Sequence, residues 1–286
     1  MERTAGDTSA TLVPRRRRRR WARAVPRPYE PIRRSAYITV ALCSMGLLLG
    51  LWSALSYGHV VDPLFLSSPS QTWQAGVDAA RSGVLWTDMG ASVSVIVMGF
   101  LISTAFAIPV GLLMGTYKHG EAFFEPPIDF IRYMPAVAFA PLVLIWFGTS
   151  NTEKLVILFI GLFFQEVLLV MDNVKTVRRN LVDIAYTMGL GQRQVIGRVI
   201  LRASLPGIVD TLRISMGWAW TYLVVAELVG ATDGLGFRIQ QAQRYLDTPT
   251  MVFNIMFIGI LGLAFDFGFK AVYAWSFPYM AHRGRR

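Results

Sequence analysis

The sequence has 286 residues, of which 53% are hydrophobic and 16% are charged. Its mean hydropathy is +0.44, and apolar runs recur along most of its length, a composition that excludes an ordinary soluble domain and a disordered protein. The formal net charge is +10 at pH 7. Together these features predict a protein that crosses a membrane several times.

The first element in chain order is a basic leader, residues 1–35. It holds eleven arginines against three acidic residues, so +8 of the formal +10 lies there. A basic segment beside an apolar run stays in the cytoplasm. The run from Arg15 to Arg20 is also typical of a nucleic-acid-binding arm, but attraction to anionic lipid explains it more simply beside a membrane helix. We therefore expect membrane lipid, and no nucleic acid, as its partner.

Six apolar runs follow, each long enough to cross a bilayer at about 20 residues per helical crossing. They cover residues 36–57, 89–116, 128–148, 153–172, 207–231 and 250–276. The sequence thus predicts an all-α membrane protein with six transmembrane helices and both termini cytoplasmic. Its parts are the leader 1–35, a first helix and external amphipathic segment at 36–86, a core at 87–277 containing a loop at 173–206, and a basic cytoplasmic tail at 278–286.

The loop between the fourth and fifth runs is patterned, with the sequence DIAYTMGLGQRQVIGRVILRASLPG at 183–207. Residues 183–188 favour a short helix, and Gly189 and Gly191 end it. Helix resumes at residues 192–201, before Pro206 in the first turn of the next span. A short exposed helix with Ile184 and Met188 at its tip is suited to docking a cytoplasmic protein.

Several motifs resemble those of a known family. Asp183, Ala185, Gly189 and the later Leu205-Pro206 resemble the EAA loop of ABC importer permeases, with Asp183 where Glu is usual and Ile184 where the first Ala is usual. The stretches GFLISTAFAIPVGLLMG (99–115), IRYMPAVAFAPLVLIWFG (131–148) and LRISMGWAWTYLVVAELVGATDGLGFRIQQA (212–242) resemble the binding-protein-dependent permeases of the nitrate, sulfonate, taurine and bicarbonate group.

The resemblance implies a type I ABC importer permease fold in a bacterial inner membrane, with a cytoplasmic coupling helix between the fourth and fifth spans. It implies a homodimer that docks two cytoplasmic ATPase subunits and receives a small anion or organic acid from an extracytoplasmic binding protein. The substrates of such relatives include nitrate, sulfonates, taurine, bicarbonate and aromatic carboxylates, and pyrimidine precursors of thiamine are an alternative. The implied coupling residues are Asp183, Ile184, Ala185, Met188 and Gly189.

This chain has no G-x-x-x-x-G-K-[ST] phosphate loop. Any ATP hydrolysis therefore belongs to another polypeptide, and we expect this chain to be no enzyme and to bind no metal or cofactor. ATP and Mg²⁺ are expected on the partner subunits. Coupling between hydrolysis and transport would then be mechanical, through rigid helices that open a pathway on alternate sides of the membrane.

Ionisable residues inside the predicted spans are the next candidates, because a charge at the bilayer centre costs at least about 2.5–3.5 kcal/mol. Glu166 lies in the fourth span and Glu227 in the fifth, while Asp266 and Lys270 have the spacing of a helical ion pair in the sixth. We assign these four a structural or gating role, together with Pro135, which breaks the backbone hydrogen-bond ladder of the third span.

Candidates for the translocation path are polar or aromatic residues near these positions. Ser215, Trp218 and Tyr222 share one helix face, and Gln165 lies in mid-span. Arg132, just before Pro135, is suited to attracting an anion, although snorkelling to the interface also explains it.

Two other function classes stay open at this point. In a proton-coupled secondary transporter, Glu166, Glu227 or Asp266 would carry protons. A membrane enzyme would need a metal or nucleophile cluster, and the three histidines have no ligand spacing. An exporter of similar architecture is a third possibility, although the resemblance is to importers.

Overall fold

The computed structural model describes residues 32–278, and everything below refers to them. Predictions made for residues 1–31 and 279–286 lie outside the described part. All regular secondary structure in the described part is helical. The helices are α1 (Arg34–Tyr57), α2 (Pro69–Arg81), α3 (Val84–Thr116), α4 (Lys118–Arg132), α5 (Ala140–Phe147), α6 (Asn151–Lys175), α7 (Arg179–Thr187), α8 (Gln192–Gln194), α9 (Leu201–Gly230), α10 (Leu235–Arg244) and α11 (Thr248–Ser276).

Four of these helices, α1, α3, α6 and α11, are each long and apolar enough to span a membrane. Two bent pairs raise the count to six if each pair is one span: α4 with the segment Ala136–Phe147, bent by 80°, and the helix Gln192–Gly230 with α10, bent by 51°. In the second pair, a π-helical turn at Val195–Ile200 joins α8 to α9. The all-α membrane fold is confirmed.

The third predicted span, residues 128–148, is not one continuous helix. Its residues are divided among the last turn of α4, a 3₁₀ turn at Ala136–Phe139 and the short helix α5. Pro135 lies at the break; it has no backbone N–H to donate, and its ring disfavours helical geometry in Met134. Pro135, which the sequence predicted to break the helical hydrogen-bond ladder, therefore lies where the chain bends sharply.

The described residues fall into two units. α1 as far as Leu51 forms the first, and the chain from Trp52 onward forms the second. In the second unit α3, α6 and α9 pack together around fully buried side chains. The largest of the apolar ones are Ile96, Ile157, Leu158, Leu162, Ile208 and Leu223.

Glycines allow α3 to approach α6 closely. A Cβ atom added to Gly111 would lie 2.7 Å from the Val167 carbonyl oxygen, and one added to Gly115 would lie 2.6 Å from Val174 Cβ. Real Cβ atoms do not come this close, so a larger residue at either position would push the helices apart. Small residues thus fix the spacing of the two most extensively packed helices.

The predicted amphipathic segment after α1 forms α2. Ser68 caps its N-terminus: the hydroxyl accepts from the Gln71 amide, and the Gln71 side chain accepts from the Ser68 amide. α2 packs against α11, where Phe253 leaves no room for a Cβ on Gly76. This helix is therefore part of the packed unit.

Candidate functional site

The segment between α6 and α8 carries a short helix that projects from the packed core. This helix, α7, begins at Arg179, earlier than the helix predicted over residues 183–188. Gly189 follows with φ of +81°, a left-handed conformation that favours glycine and ends the helix. We call residues 179–191 the knob.

The knob has a buried face and an exposed apolar tip. Ala185 is buried and belongs to the main core with Val195 and Ile200. Its small side chain lets the α7 backbone lie close to the helix that follows. Ile184 is 55% exposed and Met188 is 74% exposed. An apolar tip on a helix fixed from beneath is the arrangement found in helices that dock into a groove of another protein.

Asp183 lies on the same helix and is exposed. It lines a cavity of about 600 Å³ between α7 and the adjoining ends of α3, α4 and α6. The five predicted coupling residues therefore lie together on one short helix and the turn that ends it. Their contacts with a motor subunit remain a prediction.

The sequence matches a known family of membrane transport proteins. Residues 107–278 match the family described as the binding-protein-dependent transport system inner membrane component. The chain belongs to this family. It is thus a multi-pass inner-membrane permease subunit of the ABC importer type and not itself an enzyme, and the predicted family is confirmed.

Relatives agree with this assignment. The chain is 32% identical over 243 residues to the taurine transport system permease protein TauC of Escherichia coli (strain K12), covering 83% of this chain and 88% of that protein. It is 28% identical to the putative aliphatic sulfonates transport permease protein SsuC of Bacillus subtilis (strain 168), covering 77% and 80%.

A solved structure supports the fold. The chain is similar to a chain of the MetNI methionine ABC transporter in an inward-facing conformation, with a TM-score of 0.55 and 20% identity, covering 64% of this chain and 91% of that one. At this identity the similarity concerns the fold alone.

Glu166 lies at a junction of three helices. It is fully buried, and its carboxylate accepts from Ser103 at 2.8 Å and Thr104 at 3.4 Å on α3, and from Ser215 at 2.8 Å on α9. Ser215, a candidate for the translocation path, is thus buried at this junction, and its role in translocation remains a prediction. Three hydroxyl donors satisfy a carboxylate that the membrane interior would otherwise destabilise.

Glu227 joins the end of α9 to the turn that follows it. The carboxylate is 1% exposed, accepts from Ser92 on α3 at 2.6 Å and from the Gly236 amide at 2.7 Å. Nearby, Asp88 on α3 pairs with Arg238 on α10 at 2.8 Å. Sequence reasoning identified Glu227 but missed Asp88 and Arg238, because their partners lie far away in the chain.

Asp266 and Lys270 form the ion pair that their spacing predicted, with 2.5 Å between Nζ and Oδ2. The structure adds Arg213 of α9, whose Nε lies 3.4 Å from Asp266 Oδ1. The pair within α11 thus also holds α11 against α9, a contact that the spacing alone did not show.

The remaining predicted path residues lie in different surroundings. Arg132, at the end of α4, pairs with Asp129 at 2.9 Å and lies over the ring of Tyr133. Gln165 and Tyr222 are half-buried, while Trp218 is 36% exposed. The structure does not bring these residues into one site within a single chain, so their role in translocation remains a prediction.

A further charged group near the end of α9 had no sequence signal. Lys154, almost fully buried in the first turn of α6, lies 3.1 Å from Asp233. The neighbouring Glu153 is fully buried, and within residues 32–278 neither of its carboxylate oxygens has a hydrogen-bond partner. A buried carboxyl group without partners is destabilising.

Proposed function

We propose that this chain is the membrane-spanning subunit of an ATP-driven importer for a small anion or organic acid of the sulfonate and taurine type. The observation that carries the proposal is the knob, whose apolar tip is exposed while Ala185 holds its base in the core. A chain without a phosphate loop needs such a contact surface if ATP hydrolysis on a separate subunit is to drive its conformational change.

In the proposed assembly two copies of the chain pair, and two ATPase subunits bind the knobs on the cytoplasmic side. ATP and Mg²⁺ are held by the ATPase subunits. The knob follows α6 after three residues and directly precedes the helix Gln192–Gly230. Because helical backbone does not unravel in lipid, displacement of the knob moves both helices as rigid bodies. The pathway then opens on alternate sides of the membrane.

The substrate class is supported by the names of the relatives. TauC is named for taurine and SsuC for aliphatic sulfonates, and both compounds carry a sulfonate group. An extracytoplasmic binding protein would deliver the substrate, and α2 with α10 would lie on that face. A pyrimidine precursor is a second candidate, because the chain is also 28% identical to the formylaminopyrimidine transport permease protein ThiX of Halalkalibacterium halodurans.

Uptake into vesicles tests the proposal. The chain is reconstituted with its cognate ATPase and binding protein, and radiolabelled taurine, an alkanesulfonate, nitrate, bicarbonate, an aromatic carboxylate and formylaminopyrimidine are offered outside vesicles loaded with ATP. We expect accumulation of a sulfonated compound only when ATP and the ATPase are both present. Accumulation driven by a proton gradient without the ATPase would overturn the proposal, and efflux instead of uptake would reverse the direction.

A further inference from the structure

The segment that joins α3 to α4 lies beside both ends of the knob. α3 ends at Thr116 and α4 begins at Lys118; we call residues 117–121 the corner. The chain enters the knob segment from Lys175, the last residue of α6, and leaves it at Gln192, the first residue of α8. Each of these two flanking residues has a polar contact with the corner.

At the entry, Glu121 of the corner lies between two lysines. Its Oε1 is 3.3 Å from Lys175 Nζ, and its Oε2 is 2.8 Å from Lys118 Nζ. The Glu121 side chain is 19% exposed and that of Lys175 is 34% exposed, so the pair is partly shielded from water. Shielding and two partners make this contact better defined than an isolated surface ion pair.

At the exit, the Gln192 side-chain amide donates to the Tyr117 hydroxyl at 2.9 Å. Tyr117 and Gln192 are 75 residues apart in the sequence. Among residues 32–278, this bond and the Glu121–Lys175 pair are the polar side-chain links between the corner and the segment 175–192. The corner is therefore linked to the two residues that flank the knob, Lys175 before it and Gln192 after it.

Between these two links the knob stands away from the corner. The cavity of about 600 Å³ separates them, with Asp183 and Tyr186 on the α7 side and Thr116 and Tyr117 on the other. Close packing therefore does not bind α7 to the corner across this gap. The two polar links lie at the margins of this gap, and they carry motion between the knob and the corner.

The corner is also the start of the bent pair. α4 runs from the corner to Arg132, and the chain then turns by 80° at Pro135 towards α5. α5 packs against α6 and α9. Ile128 of α4 is buried beside Met171 of α6 in a second core cluster. α4 thus connects the corner at its first residues to the bend that follows its last residue.

We propose that Tyr117 and Glu121 are positioning residues that make α4 move with the knob. Motion caused by the ATPase then reaches the bent pair α4–α5 as well as α6 and the helix Gln192–Gly230, which flank the knob. This inference rests on the proposed function and adds a third route for the motion. Without the two links, the corner end of α4 lags behind, the pathway opens incompletely, and ATP is hydrolysed without full transport.

The test measures ATP hydrolysis and substrate uptake in the same vesicles containing the complete complex, with taurine as the first probe. The variants are Tyr117→Phe, Glu121→Gln and the two combined. Glu125→Gln, one turn further along α4, is the matched control. Glu121→Lys combined with Lys118→Glu and Lys175→Glu reverses all three charges of the cluster and serves as the rescue. Thermal stability and complex assembly are measured for every variant.

We expect uptake per ATP hydrolysed to fall about three- to fivefold in the combined variant, the scale of losing one or two partly shielded polar contacts. Glu125→Gln should leave the ratio unchanged, and the variant with all three charges reversed should restore much of what Glu121→Lys alone loses. An unchanged ratio in the combined variant overturns the inference. A proportional fall in hydrolysis and uptake also overturns it, because that result would show that the two residues support assembly of the complex and not coupling. Absence of ATP-driven uptake in the unmodified complex, for every probe, would instead overturn the proposed function.

Discussion

Glu227 and Gly234 fit against each other so closely that a side chain at position 234 has no room. A Cβ atom added to Gly234 would lie 2.5 Å from Glu227 Oε1. Gly234 also has φ of +113°, a conformation that other residues rarely adopt. The buried carboxylate and the turn after α9 are therefore one structural unit, which the Gly236 amide closes by donating to Glu227 Oε2.

Replacing Gly234 tests this fit. We expect Gly234→Ala to lower the free energy of unfolding by about 1–3 kcal/mol, through backbone strain and the clash with the carboxylate. The measurement is thermal unfolding of the purified chain in detergent. Gly259→Ala in α11 is the matched control, since a Cβ there meets nothing within 4 Å, and alanine favours the helix. Equal stability of the two variants would contradict the structure at this turn.

Glu166 is expected to act as a shared acceptor for α3 and α9. Ser103→Ala and Ser215→Ala should each lower the unfolding free energy by about 1 kcal/mol. Glu166→Ala should lower it by about 3 kcal/mol, because several buried hydroxyls lose their acceptor. Once Glu166 is alanine, adding Ser103→Ala should have little further effect. Additive losses in this double-mutant cycle would show that Ser103 and Glu166 do not interact.

The knob tip gives a prediction about assembly. Ile184→Asp and Met188→Asp should each weaken ATPase binding at least about 30-fold, the scale of an interface hot spot of about 2 kcal/mol. The stability of the isolated chain should not change, because both side chains are exposed. Binding is measured by titrating labelled ATPase onto the chain in nanodiscs. Tyr245→Asp is the control, since Tyr245 is 78% exposed and lies between α10 and α11, outside the knob. Undiminished binding by both knob variants would remove the docking role.

Replacing Glu153 and replacing its neighbour Lys154 should change the free energy of unfolding in opposite directions. Glu153→Gln should raise the unfolding free energy by about 1 kcal/mol or more, since it removes a buried carboxyl group without partners. Lys154→Gln should lower the unfolding free energy, because the pair with Asp233 is lost. Thermal unfolding at pH 7 distinguishes the two. A loss of stability in Glu153→Gln would show that the carboxyl group has a partner in solution.

Much of the fold and part of the site follow from local properties of the sequence. Hydropathy located each apolar run, because a bilayer requires about 20 apolar residues wherever they occur in the chain. Gly189 indicated the end of the knob helix, since a left-handed residue terminates a helix without reference to distant residues. Pro135 indicated a break for the same reason, although its local chemistry did not give the size of the bend.

The contacts that hold the helices together required the tertiary structure. Ser103 and Glu166 are 63 residues apart, and Asp88 and Arg238 are 150 residues apart. Such pairs depend on which helices become neighbours and on the rotation of each about its axis, and neither is encoded in a local spacing. Ser215 illustrates the limit: its spacing from Trp218 and Tyr222 is a local property, but its hydrogen bond to Glu166 depends on the approach of α6.

The sequence by itself thus determined a multi-pass helical membrane protein of a permease family, with a short helix that ends at Gly189 between the fourth and fifth apolar runs. Hydropathy, helix-ending residues and family motifs act over short stretches of chain. The tertiary structure decided which carboxylates are held by hydroxyls, which charges pair across helices and how the corner meets both ends of the knob. These choices arise from the packing of side chains in three dimensions, where residues far apart in sequence compete for the same neighbours.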